Sequence, residues 1–373
     1  PVRKFLTLII SFVLISLFVS PAANSASVVV ITEPTHRLSN GVFLDDELAT
    51  KLNPAGELGS LIYSPSRGVR SWLIDPATLS EIVAMSNGYV ISDGWEIKDA
   101  QVSGQEIAKQ WLAQFKKVTR FEKVAAITYG SPSLTWINKL SPNQLPYLNA
   151  VSKLELESFL GRVSEPVVSP IDGNQKIGAS EVSVIKYAQK QLNLLATVVE
   201  IKELEPYQLR LAQLLNPDLN DKELKGLVND FDKSITKLRS KLKITGGKFT
   251  VTAAQQELPI TVVNNFDLPV KLKLSIRPIN NKVVASPLKP IEVAAKSKLQ
   301  VMLPIEVFAS GDSQLLAQLT NLENKPVGYP LNIKLKLSVI SPITTWITSG
   351  AAILLFIAVL LQSLRRVRSK GVR

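Results

Sequence analysis

The feature that most constrains this chain is a long apolar segment near its C-terminus. Residues 343–361 contain no charged side chain. As a helix with a rise of about 1.5 Å per residue, this segment is about as long as the ~30 Å hydrocarbon core of a bilayer is thick. Trp346 lies near its start, where an interfacial aromatic residue is expected. The segment therefore predicts one transmembrane helix over residues 343–364.

The residues after this segment predict its orientation. Residues 365–373 contain no acidic side chain and carry five basic ones: Arg365, Arg366, Arg368, Lys370 and Arg373. Because basic residues beside a membrane helix favour the cytoplasmic side, we expect a cytoplasmic tail over 365–373. The domains before the helix are then extracytoplasmic, and the protein is a single-pass protein of the cell membrane.

The N-terminus fits the same orientation. Arg3 and Lys4 precede an apolar stretch over residues 5–19, and small residues follow over 21–27. This order is typical of a secretory signal peptide, which we predict over residues 1–26. The alternative is a second membrane helix that is retained, and it leaves the following residues on the same side.

Composition excludes several kinds of chemistry. The chain has no cysteine, so disulfides, thiolate nucleophiles and cysteine-based metal sites are excluded. Its formal net charge is +12, but seven of those charges lie in the two segments that flank apolar runs, which leaves +5 for the rest. A mild charge on a secreted chain argues against nucleic-acid binding. It is compatible with anionic wall polymers or lipid head groups, and equally with an ordinary solvated surface.

Strand and helix patterns alternate over residues 27–165. Strand-like segments begin at residues 27, 70 and 123, and helical segments cover 45–52, 76–85 and 104–115. Such alternation favours parallel strand pairing with helices on the faces. We therefore predict a reduced α/β domain that resembles part of a barrel, in which reactive groups lie at the carboxyl ends of strands.

Three side chains come at or just after the ends of these strands: Glu33, Asp75 and Tyr129. A glycoside hydrolase needs two carboxyl groups on either side of the scissile bond, and Glu33 with Asp75 is the candidate catalytic pair. The alternative interpretation is structural. Asp75 stands before Pro76, where it would cap the following helix, and Glu33 precedes Pro34 in a turn.

Other kinds of site find little support in the sequence. His36 is the single histidine, whereas hydrolytic metal sites usually combine several imidazoles with carboxylates. Glycine-rich nucleotide-binding motifs and the Gly-x-Ser-x-Gly elbow do not occur. We therefore expect no metal and no cofactor.

The middle of the chain predicts helices. Residues 141–174 are rich in proline and turn formers and are interpreted as a linker or exposed loop with one helix over 153–160. Residues 175–245 form a helical region. Its last helix carries one apolar stripe, with Asn220 as the expected N-cap and the following members: Leu224, Leu227, Val228, Phe231, Ile235, Leu238 and Leu242.

After residue 246 the apolar period changes to two. About seven strands over residues 247–340 predict a β-sandwich of the immunoglobulin or fibronectin type III kind. Two similar strands alternate leucine with lysine and supply candidate polymer contacts, provided that the strands adjoin: Lys271, Lys273, Lys334 and Lys336. The alternative is that these lysines protect sheet edges from pairing.

Several short segments also carry a resemblance. They are VVNNFDLPV at 262–270, VFASG at 307–311, PVGYP at 326–330, SWLIDPATL at 71–79 and QWL at 110–112. Together with the apolar helix and the basic tail, they resemble an actinobacterial family of uncharacterised single-pass envelope proteins. Members are often encoded beside the lipid II flippase, which implies a cell-wall setting. Their α/β domain looks like a reduced glycan-active barrel, and this chain is a short member.

Together these patterns predict an α+β multidomain protein: an α/β domain with a helical extension, a β-sandwich and one transmembrane helix. The expected function is that of a non-enzymatic binding or scaffold component of cell-envelope or peptidoglycan assembly. Its expected partners are the membrane, cell-wall polymers and membrane proteins of envelope assembly. The alternative function is a glycan hydrolase that uses Glu33 and Asp75.

Overall fold

The computed structural model describes residues 27–65, 68–93, 96–100, 102–169, 176–338 and 342–369. The predicted signal peptide lies outside these residues. The chain divides into two compact units. The first, here called the α/β unit, takes in the described residues up to Lys186 together with Tyr207–Phe231. The second, the sandwich unit, takes in Tyr187–Pro206 and the described residues from Asp232 onward.

The α/β unit is built on a parallel sheet of four strands in the order β1-β2-β5-β6. The strands are β1 Ser27–Ile31, β2 Arg70–Ile74, β5 Lys123–Ile127 and β6 Glu165–Val168. Ile31 pairs with Ile74, and Ile74 pairs with Ala126, so the carboxyl ends of three strands lie level. The predicted parallel α/β arrangement is confirmed.

Six helices and a hairpin lie between β1 and β6 along the described chain. The helices are α1 Glu47–Leu52, α2 Glu57–Tyr63, α3 Pro76–Ser86, α4 Val102–Thr119, α5 Leu134–Leu140 and α6 Leu145–Leu160. The hairpin consists of β3 Val90–Asp93 and β4 Glu96–Asp99. In the core, Trp111 stacks on Phe115 with ring centroids 5.3 Å apart, and Trp72 meets Phe115 edge-on at 6.3 Å. All three rings are fully buried.

The prediction of a linker over 141–174 is wrong for two segments, which form a longer helix and a strand. Helix α6 begins at Leu145 rather than at residue 153, with Pro146 in its first turn, where a missing N–H costs no helical hydrogen bond. Residues Glu165–Val168 form β6 although they include Pro166. Because β6 lies at the edge of the sheet, only one side of its backbone needs a partner strand, and an edge strand tolerates proline.

Three helices follow: α7 Ala179–Leu195, α8 Ile201–Gln213 and α9 Asp221–Arg239. The predicted apolar stripe of α9 is confirmed from Leu224 to Leu238, where its members are buried. The last predicted member, Leu242, is also buried but lies in a strand rather than in the helix. Asn220 and Glu223 exchange side-chain to backbone hydrogen bonds of 2.9 and 3.3 Å, which is a capping box at the start of α9. The predicted helical region over 175–245 contributes residues to both units.

The sandwich unit contains two sheets, with strand orders β12-β10-β14-β15-β8 and β11-β13-β9-β7. The strands are β7 Leu242–Thr245, β8 Lys248–Val251, β9 Gln255–Asn264, β10 Val270–Pro278, β11 Val283–Ala285, β12 Ile291–Val293, β13 Ser297–Val307, β14 Gly311–Thr320 and β15 Pro326–Leu337. Alternate residues are buried along the long strands, as expected for two sheets that share one core. The two-sheet β-sandwich is confirmed, and its kinship to immunoglobulin or fibronectin domains stays a prediction.

A final helix, α10, runs from Pro342 to Ser369. Its described large apolar side chains, from Ile347 to Leu361, are exposed. Within the described residues, no helix combines the length and hydrophobicity needed to cross a bilayer. The transmembrane helix therefore stays a prediction.

Candidate functional site

The three residues singled out at strand ends lie at one edge of the parallel sheet. Glu33 follows β1, Asp75 follows β2 and Tyr129 follows β5, and all three are buried. The three residues lie close to one another because the carboxyl ends of the three strands are level. Tyr129 hydrogen-bonds Ser80, and burial raises the pKa of its phenol. The edge is therefore lined by buried polar groups, and each has a distinct set of partners.

Asp75 connects the ends of the strands. Its Oδ1 accepts hydrogen bonds from the backbone N–H of Ala77 at 2.9 Å and of Gly130 at 3.0 Å, while its own N–H donates to the Ile31 carbonyl at 2.8 Å. The predicted helix cap is therefore present. Asp75 Oδ2 is buried without a hydrogen-bond partner among the described residues.

The pKa of Asp75 is raised to about 7. Burial of the carboxyl group is the main cause, and the charges of Glu81 and Glu155 add to it, whereas the hydrogen bonds from Ala77 and Gly130 act in the opposite direction. No surface of Asp75 is exposed to solvent. This carboxyl group cannot reach a substrate in this conformation.

Glu33 is held by two basic side chains. Its Oε1 lies 2.5 Å from Lys51 Nζ and 3.1 Å from His36 Nε2. Burial opposes its charged form, but the hydrogen bonds from His36 and Lys51 outweigh that effect and lower its pKa. The backbone N–H of Glu33 donates to Thr78 Oγ1 at 2.9 Å, so the residue is also tied to helix α3.

His36 stands between carboxylates. Besides Glu33 on Nε2, Asp45 Oδ1 lies 3.7 Å from Nδ1. Burial opposes the charged imidazole, but hydrogen bonds to Asp45 and Glu33, with the charge of Glu81, raise its pKa to about 10. The imidazole is buried, so His36 is part of the interior of this edge.

Two buried residues of this edge, Glu81 and Arg210, were not predicted from the sequence. Glu81 Oε2 accepts from the His36 backbone N–H at 2.9 Å, and its Oε1 accepts from the Thr35 hydroxyl at 2.5 Å. Arg210 Nη1 donates to the same Thr35 hydroxyl at 2.7 Å, and its Nη2 donates to the Arg37 carbonyl. Burial lowers the pKa of Arg210, and the charge of Glu81 opposes that shift.

A sequence signal for Glu81 existed. It is the only charged residue in the eleven residues of α3, and a lone charge in an apolar helix requires a partner. Arg210 likewise stands between Leu209 and Leu211. Neither pattern predicts which residue binds the buried charge, because the contacting residue lies in a distant part of the chain.

Two clefts open on the surface of the α/β unit. One, of about 690 Å³, is lined by Arg37, Phe43, Tyr89, Gln105 and their neighbours. The other, of about 390 Å³, is lined by Ser80, Glu155, Phe159 and their neighbours. Glu33 and Asp75 line neither of these two clefts. The candidate carboxyl pair therefore does not face a substrate-sized space in either place.

The four candidate polymer-contact lysines of the sandwich do not lie on adjoining strands. Strand β14 lies between β10 and β15, so the two lysine-bearing strands do not adjoin. Lys273 is level with Thr320 of β14, while Lys334 is level with Gln314. A spacing of six residues along a strand is about 20 Å. Lys271 pairs with Glu292 at 3.3 Å, and Lys273 donates to the Leu322 carbonyl at 2.7 Å.

A family model matches residues 105–369, so the chain belongs to the family of unknown function DUF6049. The expectation of an uncharacterised family is confirmed, whereas actinobacterial origin and a link to the flippase stay predictions. The matched residues begin within α4 and include the sandwich unit. Glu33, His36 and Asp75 lie before the matched range.

Comparison with solved structures finds limited likenesses. α2-Macroglobulin from Escherichia coli, spanning domain MG7 to its C-terminus, is 15% identical over 26% of this chain and 16% of that chain, with a TM-score of 0.22. The PapD-like domain 7 of human CEP192 is 15% identical over 27% of this chain and 86% of that chain, with a TM-score of 0.21. The Caenorhabditis elegans MSP family member WR4 is 13% identical over 26% of this chain and 97% of that chain, with a TM-score of 0.20. This chain spans only a small part of the macroglobulin structure. No curated protein matches the chain significantly.

Proposed function

We propose that this protein is a membrane-anchored, extracytoplasmic, non-enzymatic binding or scaffold component of cell-envelope assembly. Its two units stand outside the membrane, and its basic tail is cytoplasmic. Its partners are cell-wall polymers or membrane proteins of envelope assembly. The observation that carries the proposal is the exposed apolar surface of helix α10.

This apolar surface extends around the helix. Five consecutive residues, 353–357, are between 46% and 69% exposed, and successive residues of an α-helix point about 100° apart. A helix that is apolar on all sides is stable either inside a protein core or in a bilayer. The described side chains of α10 are outside a core, which supports lipid as their environment. The uncharged run over 343–361 and the basic residues after it in the sequence support the same interpretation.

The binding or scaffold role is supported by the state of the candidate catalytic pair. Asp75 is enclosed and bonded to the backbone of two other segments, and Glu33 is neutralised by Lys51 and His36. These contacts stabilise the edge of the sheet. Hydrolysis of a glycoside instead requires the two carboxyl groups to flank the scissile bond of a bound sugar.

The glycan hydrolase that uses Glu33 and Asp75 is the alternative, and one observation favours it. An acid whose pKa is about 7 is suited to donate a proton at neutral pH, as the general acid of a glycosidase does. Enclosure of Asp75 weighs against it. The binding role is therefore the better supported of the two.

Anchoring is tested by extraction of membranes at alkaline pH. The full chain should stay with the membrane, and the double variant Leu354→Arg, Phe356→Arg should move to the soluble fraction, because charge at the middle of a span is costly. Val284→Arg, at an exposed apolar site on β11, is the matched control and should stay with the membrane. Release of the unmodified full chain would contradict anchoring.

Sidedness is tested by labelling, for which a cysteine-free chain is well suited. Lys298→Cys lies on the exposed face of β13 and should react with a membrane-impermeant maleimide in intact cells. Ser369→Cys, beyond the apolar segment, should react only after lysis. The reverse pattern would contradict the proposed orientation.

The binding role is tested with the purified full chain in detergent on peptidoglycan and neutral wall glycans. We expect sedimentation with a polymer without turnover, and the same binding by Asp75→Asn and Glu33→Gln. Turnover that both variants abolish, while their circular dichroism spectra match that of the wild type, would replace the scaffold role with the hydrolase.

A further inference from the structure

Three side chains that no motif connects meet beside the first strand of the α/β unit. His36, Asp45 and Glu47 each offer one ligand atom, and these atoms lie within 4.8 Å of one another. The separation suits donors around a single ion, because metal–ligand bonds of about 2.0–2.3 Å place neighbouring donors about 3–4.5 Å apart. We propose that these three residues bind one divalent transition-metal cation of the Zn²⁺ or Mn²⁺ kind.

The backbone brings the three residues together. The Leu38 N–H donates to the Val42 carbonyl at 2.8 Å, and the Leu44 N–H donates to the His36 carbonyl at 2.8 Å. This narrow loop places His36 directly beside residue 45. The Glu47 N–H then donates to Asp45 Oδ1 at 2.9 Å, which fixes the two acids at the start of α1.

Glu33 orients the imidazole. It lies 3.1 Å from His36 Nε2, so a proton on that nitrogen is donated to Glu33, while Nδ1 faces Asp45 Oδ1 at 3.7 Å. Histidine ligands of metals usually donate their other ring N–H to a carboxylate in this way, which sets the tautomer and the direction of the ring. Glu33 thus acts as a positioning residue for the proposed site.

Charge favours a divalent ion. Three carboxylates, those of Glu33, Asp45 and Glu47, surround one ammonium group, that of Lys51, and one imidazole. Binding of the ion displaces the proton from the imidazole Nδ1, and the cluster with a neutral imidazole carries a formal charge of −2. Lys51 lies closer to Glu33, at 2.5 Å, than to Glu47, at 3.3 Å, so Glu33 retains a cationic partner when Glu47 binds the metal.

The donor set and its exposure define the kind of ion. One imidazole nitrogen with two carboxylate oxygens suits Zn²⁺ or Mn²⁺ better than Mg²⁺ or Ca²⁺, which prefer oxygen alone. The side chains of Asp45 and Glu47 are about half exposed, at 52% and 51%, whereas that of His36 is 11% exposed. The ion would therefore be held from the protein side and reached from solvent, with water completing its coordination.

The test is calorimetric titration of the chelator-treated full chain in detergent with ZnCl₂ and, separately, MnCl₂. We expect one equivalent to bind to the wild type with at least one of the two ions. Asp45→Asn and Glu47→Gln keep side-chain size and the exposed position, and each should weaken binding at least about tenfold.

Glu57→Gln is the matched control, because Glu57 is also an exposed acid in the first turn of a short helix of the same unit. Its affinity should equal that of the wild type. Circular dichroism of each variant checks the fold. Absence of saturable binding, or equal affinity in Asp45→Asn, Glu47→Gln and Glu57→Gln, would overturn the proposed site.

Discussion

At the residue scale, Asp75 joins parts of the α/β unit that are far apart in sequence. One carboxylate oxygen accepts from the N–H groups of Ala77 and Gly130. Gly130 adopts a φ of +74°, and a Cβ there would lie 2.9 Å from the Gln213 backbone nitrogen. Glycine is therefore required at the position that donates to Asp75. The arrangement uses a buried acid as a structural connector.

This burial has a consequence for stability at different pH values. The folded pKa of Asp75 is about 7, above its ordinary value of 3.8. The contribution of Asp75 to the free energy of unfolding is fully present below about pH 4, where the carboxyl is protonated in both the folded and the unfolded state. This contribution is lost as pH rises through about 7. We expect the free energy of unfolding to fall by up to about 4 kcal/mol over this range.

Urea unfolding of the wild type and of Asp75→Asn at several pH values measures this effect. The wild type should lose stability between pH 4 and pH 8, and the variant should show a flatter profile because it cannot ionise. Asp99→Asn, on the exposed strand β4, should keep the wild-type profile. Coincident profiles for the wild type and Asp75→Asn would contradict the ionisation of a buried Asp75.

At the element scale, strand β15 depends on a glycine at an irregular point in its pairing. The register between β14 and β15 shifts at Ala317 and Leu319, and Gly328 of β15 has a φ of +69°. A Cβ at this position would lie 2.8 Å from the Leu242 carbonyl of β7. The carbonyl of Gly328 also accepts from Arg239 Nη2 at 3.0 Å, which ties β15 to the end of α9.

Gly328→Ala should therefore destabilise the sandwich unit by about 1–3 kcal/mol, through backbone strain and the close approach to Leu242. Urea unfolding followed by circular dichroism measures the change. Gly247→Ala is the control, because Gly247 lies in the same unit with ordinary φ and no neighbouring atom within 4 Å of its added Cβ. Equal stability of the two variants would rule out strain at Gly328.

The elements differ in how far the sequence could predict them. The stripe of α9 and the alternation of β9, β10 and β13 follow from one buried face, so local periodicity reveals them. Strand β6 was missed because Pro166 in a proline-rich stretch is typical of a linker. Strand β7 was missed because Leu242 continues the apolar spacing of α9, so its residues were interpreted as helical.

At the scale of the whole molecule, α10 is the segment whose removal should change solubility without changing the fold. Its described large apolar side chains, from Ile347 to Leu361, are exposed, so little buried apolar surface is lost with them. A chain that ends after Ser338 should be recovered without detergent.

The melting temperature of the shortened chain should lie within about 2 °C of the full chain in the same detergent. Differential scanning calorimetry measures both. A much lower melting temperature would show that α10 is packed in the sandwich unit, and it would count against the proposed membrane helix.

The sequence by itself determined the features that depend on neighbours along the chain. These are the alternating strands and helices, the Asp75 cap before Pro76, the helix stripe, the period of two in the sandwich and the uncharged segment 343–361. Each reflects a local requirement, because a side chain three or four positions away in a helix, or two away in a strand, shares the same face.

Only the tertiary structure decided which distant residues meet. Arg210 contacts Thr35 across 175 positions, and β14 separates the two lysine strands. The narrow loop after β1 brings His36 to Asp45 and Glu47 and converts a lone histidine into one member of a cluster. The physical reason is that burial sets local periodicity, whereas the pairing of distant segments depends on how whole elements pack, which no local pattern encodes.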